Sequence, residues 1–323
     1  MVFRDVTTPW LASALTLAVE LRLAERVSVG AVPIGELALQ VDLPERHLRR
    51  FLGILQAHGY FKLDRADRLG HTALSRALLS EAGGSFVALQ GRSWYRAAFD
   101  VPHVLEGWRA GCSPFEAAMG VPFFDRLSNS SEDQQLFSRA MSNVTRFCAP
   151  YLVESIPLLA GAKYLDVGGA DGEMARALAF RYPGSSLAIF DRSPASEGVG
   201  LPYHQGSFFQ SLPTGYDGLC LKSILHDWPD QEALAILCRC REAVEAGASL
   251  FVIECLLPSG SELLPQAAET FALDWNVWLT LSGQERTEAD YRRLLEGSGW
   301  EVVKTRVTAT PYSVIEARAV SPS

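Results

Sequence analysis

No apolar run in the 323 residues approaches the roughly 20 that a membrane-spanning helix needs, so no membrane insertion is expected. Basic residues do not dominate either. Twenty-nine Lys and Arg against thirty-seven Asp and Glu leave a net charge of −8, which argues against a general nucleic-acid binder. The six cysteines, at positions 112, 148, 220, 238, 240 and 255, form no CxxC pair, and three lie in apolar runs. Reduced thiols in a cytoplasmic protein are expected, and a zinc site is not. Met1-Val2-Phe3-Arg4-Asp5 leads no basic cluster into a long apolar stretch, so a signal peptide is not expected. Repeats, low-complexity tracts and charged tails are missing as well. What is present is a globular composition, 48% hydrophobic and 20% charged, in a chain long enough for about two domains.

Charge is divided unevenly. Residues 1–95 hold eleven Lys and Arg against nine Asp and Glu, a net of +2, and the remainder carries −10. The first part reads as helical. Leu11, Leu15, Val19, Leu21 and Leu23 fall close to helical spacing over 9–27. A short helix follows over Ile34 to Leu39, and another opens at Leu43-Pro44-Glu45 and runs through Leu55 to a stop at Gly59. Tyr60 to Leu63, a polar turn over Asp64 to Arg68, and His71 to Leu74 then read as a two-stranded wing. Arg46, His47, Arg49 and Arg50 on the second helix raise DNA binding as a function. A net of +2 is thin for a phosphate-binding surface, however, and packing or dimerisation is the favoured role.

The second part carries the chemistry. Lys163 to Val167 reads as a buried strand running into Gly168-Gly169-Ala170-Asp171-Gly172, then a helix from Glu173 to Phe180. A second strand, Leu187 to Phe190, ends in Asp191. Strand, glycine turn, helix, strand and acid form the pattern of a nucleotide-type site at a sheet's carboxyl edge. Glycines let a ligand approach the backbone, and the acid can accept both hydroxyls of a ribose. The adjacent glycines do not fit the GxGxxG of a nicotinamide site, and no Gly-Lys-Ser/Thr makes this a phosphate-binding P-loop. A strand at Leu219 to Leu221 precedes Lys222 to Asp230, and a helix is expected over Gln231 to Ala246. The strand Ser249 to Ile253 places Glu254 at its end. Thr287 is the expected N-cap of a helix, with Asp290 three residues on. Two β-rich runs, Trp300 to Thr305 and Tyr312 to Ala317, close a doubly wound sheet with a hairpin.

From Ile34 to about Ala317, these residues resemble the plant-type small-molecule O-methyltransferases, the group of caffeate and acetylserotonin methyltransferases and their bacterial antibiotic-pathway relatives. The likeness rests on Leu165-Asp166-Val167-Gly168-Gly169, Phe190-Asp191, Leu221-Lys222, Leu225-His226-Asp227-Trp228, Ile253-Glu254 and Glu285-Arg286-Thr287. It implies an α/β fold: a Rossmann-type class I methyltransferase sheet with an N-terminal, mostly helical winged-helix dimerisation domain. The implied layout is a homodimerisation domain over 1–95, a helical linker and substrate-pocket region over 96–150, and an S-adenosylmethionine-binding domain over 151–323. In such a layout Asp166, Gly168 and Gly169 shape the cofactor turn and Asp191 holds the ribose. Ser207 and Phe208 lie near the adenine, Lys222 lies along the cofactor, and Thr145 is near its carboxylate. His226 is the implied general base, steadied by Glu254 and Glu285. No metal is implied.

A phenol near pKa 10 and an imidazole near 6.5 leave full proton transfer uphill by about 5 kcal/mol. His226 is therefore expected to accept the proton as the methyl moves, with a carboxylate on its other nitrogen to fix the tautomer. Phe137 and Met141 match the family's substrate helix, and Asp227, Asn276 and Val277 are further expected acceptor contacts. Phe123, Phe124, Trp275 and Trp278 are candidate aromatic walls. The expected partner is a small aromatic acceptor. Three departures stand out: Ala170 for a third glycine, Ser207 for an Asp near the adenine, and a short segment between Asp191 and Ser207. They keep one alternative open, a non-methylating relative (hydroxylase, decarboxylase or pericyclase), and the winged N-terminal part keeps another, a winged-helix ligand-sensing regulator.

Overall fold

The computed structural model describes residues 7–193, 200–259 and 268–321, and the chain forms two compact units. The first comprises Met1–Arg96 and Ser130–Val144, the second Ala97–Asn129 and Thr145–Ser323. The core of the first unit collects Leu23, Ile34, Leu37, Leu48, Leu52, Leu55 and Leu69, all essentially inaccessible to solvent. Helix Glu45–Ala57 explains its share of that core. Leu48, Leu52 and Leu55 recur at spacings of four and three and turn one stripe inward, leaving Arg46, Arg49 and Arg50 outside. Arg49 is spent on ion pairs with Glu45 and Asp67.

The continuous helix expected over 9–27 is broken into Thr8–Glu20 and Leu23–Arg26, because Arg22 takes a left-handed conformation at φ 52° between them. The small sheet has three strands rather than two: β1 (Val32–Pro33), β2 (Lys62–Leu63) and β3 (Arg68–Gly70), in the order β1-β3-β2. Its return strand lies at Arg68–Gly70 and not at His71 to Leu74. The Asp64 carboxylate accepts the Ala66 and Arg68 amides and closes the turn early. Thr72 then forms a capping box with Ser75 and starts a helix instead.

The second unit is built on β4 (Lys163–Val167), β5 (Ser186–Asp191), β6 (Tyr203–Gln205), β7 (Gly218–Lys222), β8 (Ser249–Leu257), β9 (Arg286–Thr287), β10 (Trp300–Val307) and β11 (Tyr312–Ala319). The strand order is β6-β5-β4-β7-β8-β11-β10, with the short β9 beside β8. From β6 to β8 neighbours run parallel, and β11 and β10 form the antiparallel hairpin. One apolar cluster joins Leu165, Leu219, Leu221 and Val252 to helices Asp230–Glu242 and Glu288–Gly297. Another joins Tyr164, Ile189, Phe251 and Ile253 to Leu152 and Leu178. Buried on both sides, the central strands read as unbroken apolar runs. Helix Glu173–Arg181 carries the chain from β4 to β5, while β7 lies on the other side of β4. The sheet's switch point therefore lies between β4 and β7, where such sheets hold ligands.

Two boundaries move by four residues. The helix expected to reach Ala246 ends at Glu242, and Arg241 donates to the Val244 carbonyl as the chain turns toward β8. Strand β8 does not stop at Ile253. Glu254 pairs with Ser313 of β11, and the strand continues to Leu257, so Glu254 sits inside it.

Candidate active site

The glycine turn follows β4 directly. Gly168 has φ +73°, and a Cβ there would come within 2.3 Å of Ile224 Cδ1. A Cβ on Gly169 would meet the Asp166 carboxylate at 2.8 Å. Both positions demand glycine, one for conformation and space, the other for space alone. Asp166 is buried and its Oδ2 accepts the Ala175 amide, tying the strand to the start of helix Glu173–Arg181. Burial pushes its carboxyl up to about 7. Ala170, the departure from a third glycine, keeps the left-handed backbone at φ 45°. Its amide donates to Asp191 Oδ2, and Ser193 donates to Asp191 Oδ1. Asp191, half-buried at the end of β5, thus braces the turn and keeps lone pairs for a ligand.

Phe208 lies beside Gly168, and its ring meets Phe209 at 5.1 Å and Trp228 at 6.0 Å. Ser207 Oγ accepts the Phe209 amide, leaving its hydroxyl proton to donate. The segment suspected of being short falls partly outside the described residues, at 194–199. Lys222 ends β7. Its ammonium lies 4.3 Å from the Tyr312 ring centroid and donates to Ser223 Oγ, which in turn donates to the Tyr312 hydroxyl. Burial works most strongly against that charge, but Tyr312, Cys148 and Glu254 together outweigh it and the lysine pKa is raised.

After Lys222 the chain turns sharply at Ser223, φ 54°, into a single 3-10 turn, Leu225–Asp227. Strand β8 pairs Ile253 with Lys222, so the next residue of β8, Glu254, reaches this turn. Glu254 Oε1 accepts both the Ile224 and Leu225 amides, at 3.1 and 2.9 Å. Its Oε2 lies 3.6 Å from His226 Nδ1. Glu285, just before β9, puts Oε1 2.6 Å from the same nitrogen. Asp227 Oδ1 lies 3.3 Å from the other ring nitrogen, Nε2. His226, Glu254 and Glu285 are buried, with ligating atoms within 4.8 Å of one another.

Burial alone would lower the His226 pKa. Glu254, then Asp227, then Glu285 outweigh it and hold the imidazole well above its ordinary 6.5. Burial lifts Glu254 to about 7, further raised by Glu285 and Asp227 and opposed by His226. Burial likewise lifts Asp227 to about 6 against the pull of His226.

Thr145, Met141 and Phe137 share one stripe of helix Ser131–Leu152 at four-residue spacing. Phe137 and Met141 belong to the first unit, Thr145 to the second. On helix Ala268–Leu281, Val277 is buried. Asn276 lines a cavity of about 360 Å³ with Phe99, Val101, Val104, Trp275 and Leu279. Phe124 stacks on Trp228 at 6.2 Å and meets Phe123 at 5.5 Å, beside the His226 turn. Trp275 and Trp278 pair at 5.0 Å, with Trp108 5.5 Å from Trp278. Sequence motifs do not reveal Asp274, whose carboxylate accepts the Glu285 amide, or Tyr312, which faces Lys222. Both are delivered by elements distant in sequence.

A sheet of this order, with a glycine turn at its switch point and an acid at the end of the neighbouring β5, defines a Rossmann-type class I methyltransferase fold. The chain belongs to the O-methyltransferase domain family, which matches residues 99–301 and uses S-adenosylmethionine. It is 28% identical to the phenazine O-methyltransferase PhzM of Lysobacter antibioticus, over 99% of this chain and 96% of that one. It is 31% identical to the O-demethylpuromycin-O-methyltransferase of Streptomyces alboniger, over 98% and 89%. The solved structure of LaPhzM superposes with a TM-score of 0.89 at 27% identity, over 99% of this chain and 98% of that one. Among the described residues no helix is long and apolar enough to cross a membrane.

Proposed function

We propose that the protein methylates an aromatic hydroxyl of a small secondary metabolite, with His226 as general base. The observation that carries this reading is the 2.6 Å contact between His226 Nδ1 and Glu285 Oε1. A carboxylate on Nδ1 fixes the proton there and leaves Nε2 to receive the acceptor's proton. A base lifted above its ordinary value stands closer to a phenol near pKa 10, so the uphill step falls below about 5 kcal/mol. Asp227, beside Nε2, is placed to accept from a second polar group on the acceptor. Within the second unit, Asn276 and Val277 are its proposed contacts, and the aromatic cluster around Trp228 suits a flat ring.

S-adenosylmethionine, when bound, supplies an electrophilic methyl group on its sulfonium. The cradle of Gly168 and Gly169, with Asp191 at the end of the neighbouring strand, fits its nucleoside. Asp191 would accept from the ribose hydroxyls, Phe208 and Ser207 would face the adenine, and Lys222 and Thr145 would hold the amino-acid end. Asp166 holds the turn in shape. We further propose that residues 1–95 form a cytoplasmic homodimer's interface. Sedimentation as a fully active monomer at micromolar concentration would exclude it.

The test is direct. Incubation with S-adenosylmethionine and three probe hydroxyarenes, 1-hydroxyphenazine, catechol and 2-naphthol, is expected to give a product heavier by one CH2 by mass spectrometry. His226→Asn is expected to retain cofactor affinity and lose about 10²–10⁴-fold in turnover, less so at high pH with an acceptor that ionises unaided. An unchanged rate and pH profile would remove His226 from the chemistry.

A further inference from the structure

We propose that Arg286 is a positioning residue for the base, gripping the backbone on both sides of His226 so that its ring stays on Glu285. The proposal rests on the reading of His226 as the base. Arg286 is 2% exposed, and both terminal nitrogens of its guanidinium donate to backbone carbonyls that flank His226. Nη1 donates to the Leu225 carbonyl at 2.9 Å, and Nη2 donates to the Trp228 carbonyl at 2.7 Å. Leu225 and Trp228 flank His226-Asp227. Nε donates to Asp230 Oδ1 at 2.8 Å, and Nη1 also reaches the Gln284 carbonyl at 3.4 Å.

The turn is therefore held by opposite charges at its two ends. Glu254 accepts the amides of Ile224 and Leu225, and Arg286 donates to the carbonyls of Leu225 and Trp228. Each charge faces the end of the peptide dipoles that it complements. Of the two carbonyls between those of Leu225 and Trp228, that of His226 accepts the Gln284 amide at 2.9 Å. Gly283 leaves no room for slack, since a Cβ there would lie 2.0 Å from that oxygen. Arg286 is also the residue after Glu285, so one short segment fixes both the ring and the backbone that carries it.

Packing alone gives no reason for this arrangement. A buried cation is costly, and an apolar side chain of similar volume would fill the space at least as well. The carboxylate paired with Arg286, Asp230, is 62% exposed and screened by solvent. What an apolar side chain cannot do is hold Leu225 and Trp228 at a fixed separation. A lysine cannot either, because its single ammonium does not span the Leu225, Trp228 and Asp230 acceptors in a fixed fork.

The experiment is Arg286→Lys, read in two ways. With the hydroxyarene that the wild-type protein methylates, kcat is expected to fall at least tenfold, with acceptor KM and cofactor Kd within twofold. The limb of the kcat–pH profile should move toward 6.5. In the His226→Asn background the same substitution should cost less than a further twofold, because there is no imidazole left to place. Independently of activity, proton NMR of protein labelled with 15N-histidine should show the Nδ1 proton shared with Glu285 far downfield, shifting upfield or broadening in Arg286→Lys. Unchanged kcat, pH limb and proton resonance would overturn the proposal, as would an equal loss with and without His226. Should Arg286→Lys fail to fold, Asp230→Asn loosens the same guanidinium from its exposed side, and no movement of the resonance there would overturn it equally. An unimpaired His226→Asn protein sinks the base assignment instead, and the resonance still reports on Arg286.

Discussion

Replacing Glu285 with glutamine is the sharpest perturbation of the proposed base. The amide keeps the shape and one acceptor oxygen, so the contact with His226 Nδ1 survives as a neutral hydrogen bond while the charge is lost. Two magnitudes bracket the cost. A hydrogen bond to a charged group is worth about 1.5–3 kcal/mol and a neutral one about 0.5–1.5, which sets a floor near 1 kcal/mol. At the observed 2.6 Å, two unit charges attract by about 6 kcal/mol at an effective dielectric constant of 20, which sets the ceiling. The ceiling is not reached, because Glu254 remains 3.6 Å from the same nitrogen and faces the imidazolium. A loss of about 2–3 kcal/mol follows, or roughly 30–150-fold in kcat.

The pH dependence carries the sharper signature. A base works when unprotonated, so wild-type kcat should rise through the elevated pKa of His226. In Glu285→Gln that limb should move to lower pH while the plateau falls, a combination that a folding defect does not produce. Stability should respond in the same sense. A histidine whose folded pKa is raised stabilises fully below its unfolded value near 6.5 and loses that contribution as pH rises through the folded value. The melting temperature of the wild type should therefore decline more steeply above pH 6.5 than that of the variant. Stopped-time methyl transfer across pH 5.5–10 and parallel thermal melts measure both. A plateau within twofold of wild type and an unmoved limb would refute the reasoning, and would leave Glu254 to set the basicity of the imidazole.

Asp191→Ala should weaken S-adenosylmethionine binding at least tenfold by calorimetry, since it removes a charged acceptor worth about 1.5–3 kcal/mol; unchanged affinity would place the ribose elsewhere. Asp166→Asn should raise the melting temperature at pH 8.5 and raise it by about half as much at pH 5.5. The buried carboxyl titrates near 7 in the fold, so its penalty is absent at acid pH, grows as pH rises above the unfolded value near 4, and is full above 7, at up to about 4 kcal/mol. A gain of the same size at both pH values would contradict this. Ala170→Gly should relieve a left-handed backbone that costs an alanine about 1–2 kcal/mol, against about 0.4–1 kcal/mol of added unfolded-chain entropy. Urea denaturation should show the variant at least as stable as wild type, and a clear loss of stability would mean that the Ala170 methyl group is needed for packing.

The glycine turn, Asp191 and the His226 segment were legible because each lies at the end of a strand whose apolar run marks it in sequence, and local order alone carries them to one sheet edge. Legibility fails where a residue acts through the backbone of another. Glu254 reads from sequence as an acid for the imidazole, yet its one well-made set of hydrogen bonds goes to the amides of Ile224 and Leu225. Nothing in Ile253-Glu254 announces that, because it depends on the register that sets Ile253 beside Lys222. Arg286 is harder still. Nothing in Glu285-Arg286-Thr287 announces a buried arginine, since burial of an unpaired arginine is unfavourable unless carbonyls are waiting for it. Those carbonyls exist only once the turn after β7 has formed, about sixty residues earlier in the chain. The wing failed for a different reason: His71 to Leu74 has strand-like composition, but a Thr72 cap and an early Asp64 turn are local hydrogen bonds that outcompete a four-residue preference. In this chain sequence pattern locates the groups that would touch ligand, whereas the groups that hold those groups still are visible only after the strands have been laid side by side.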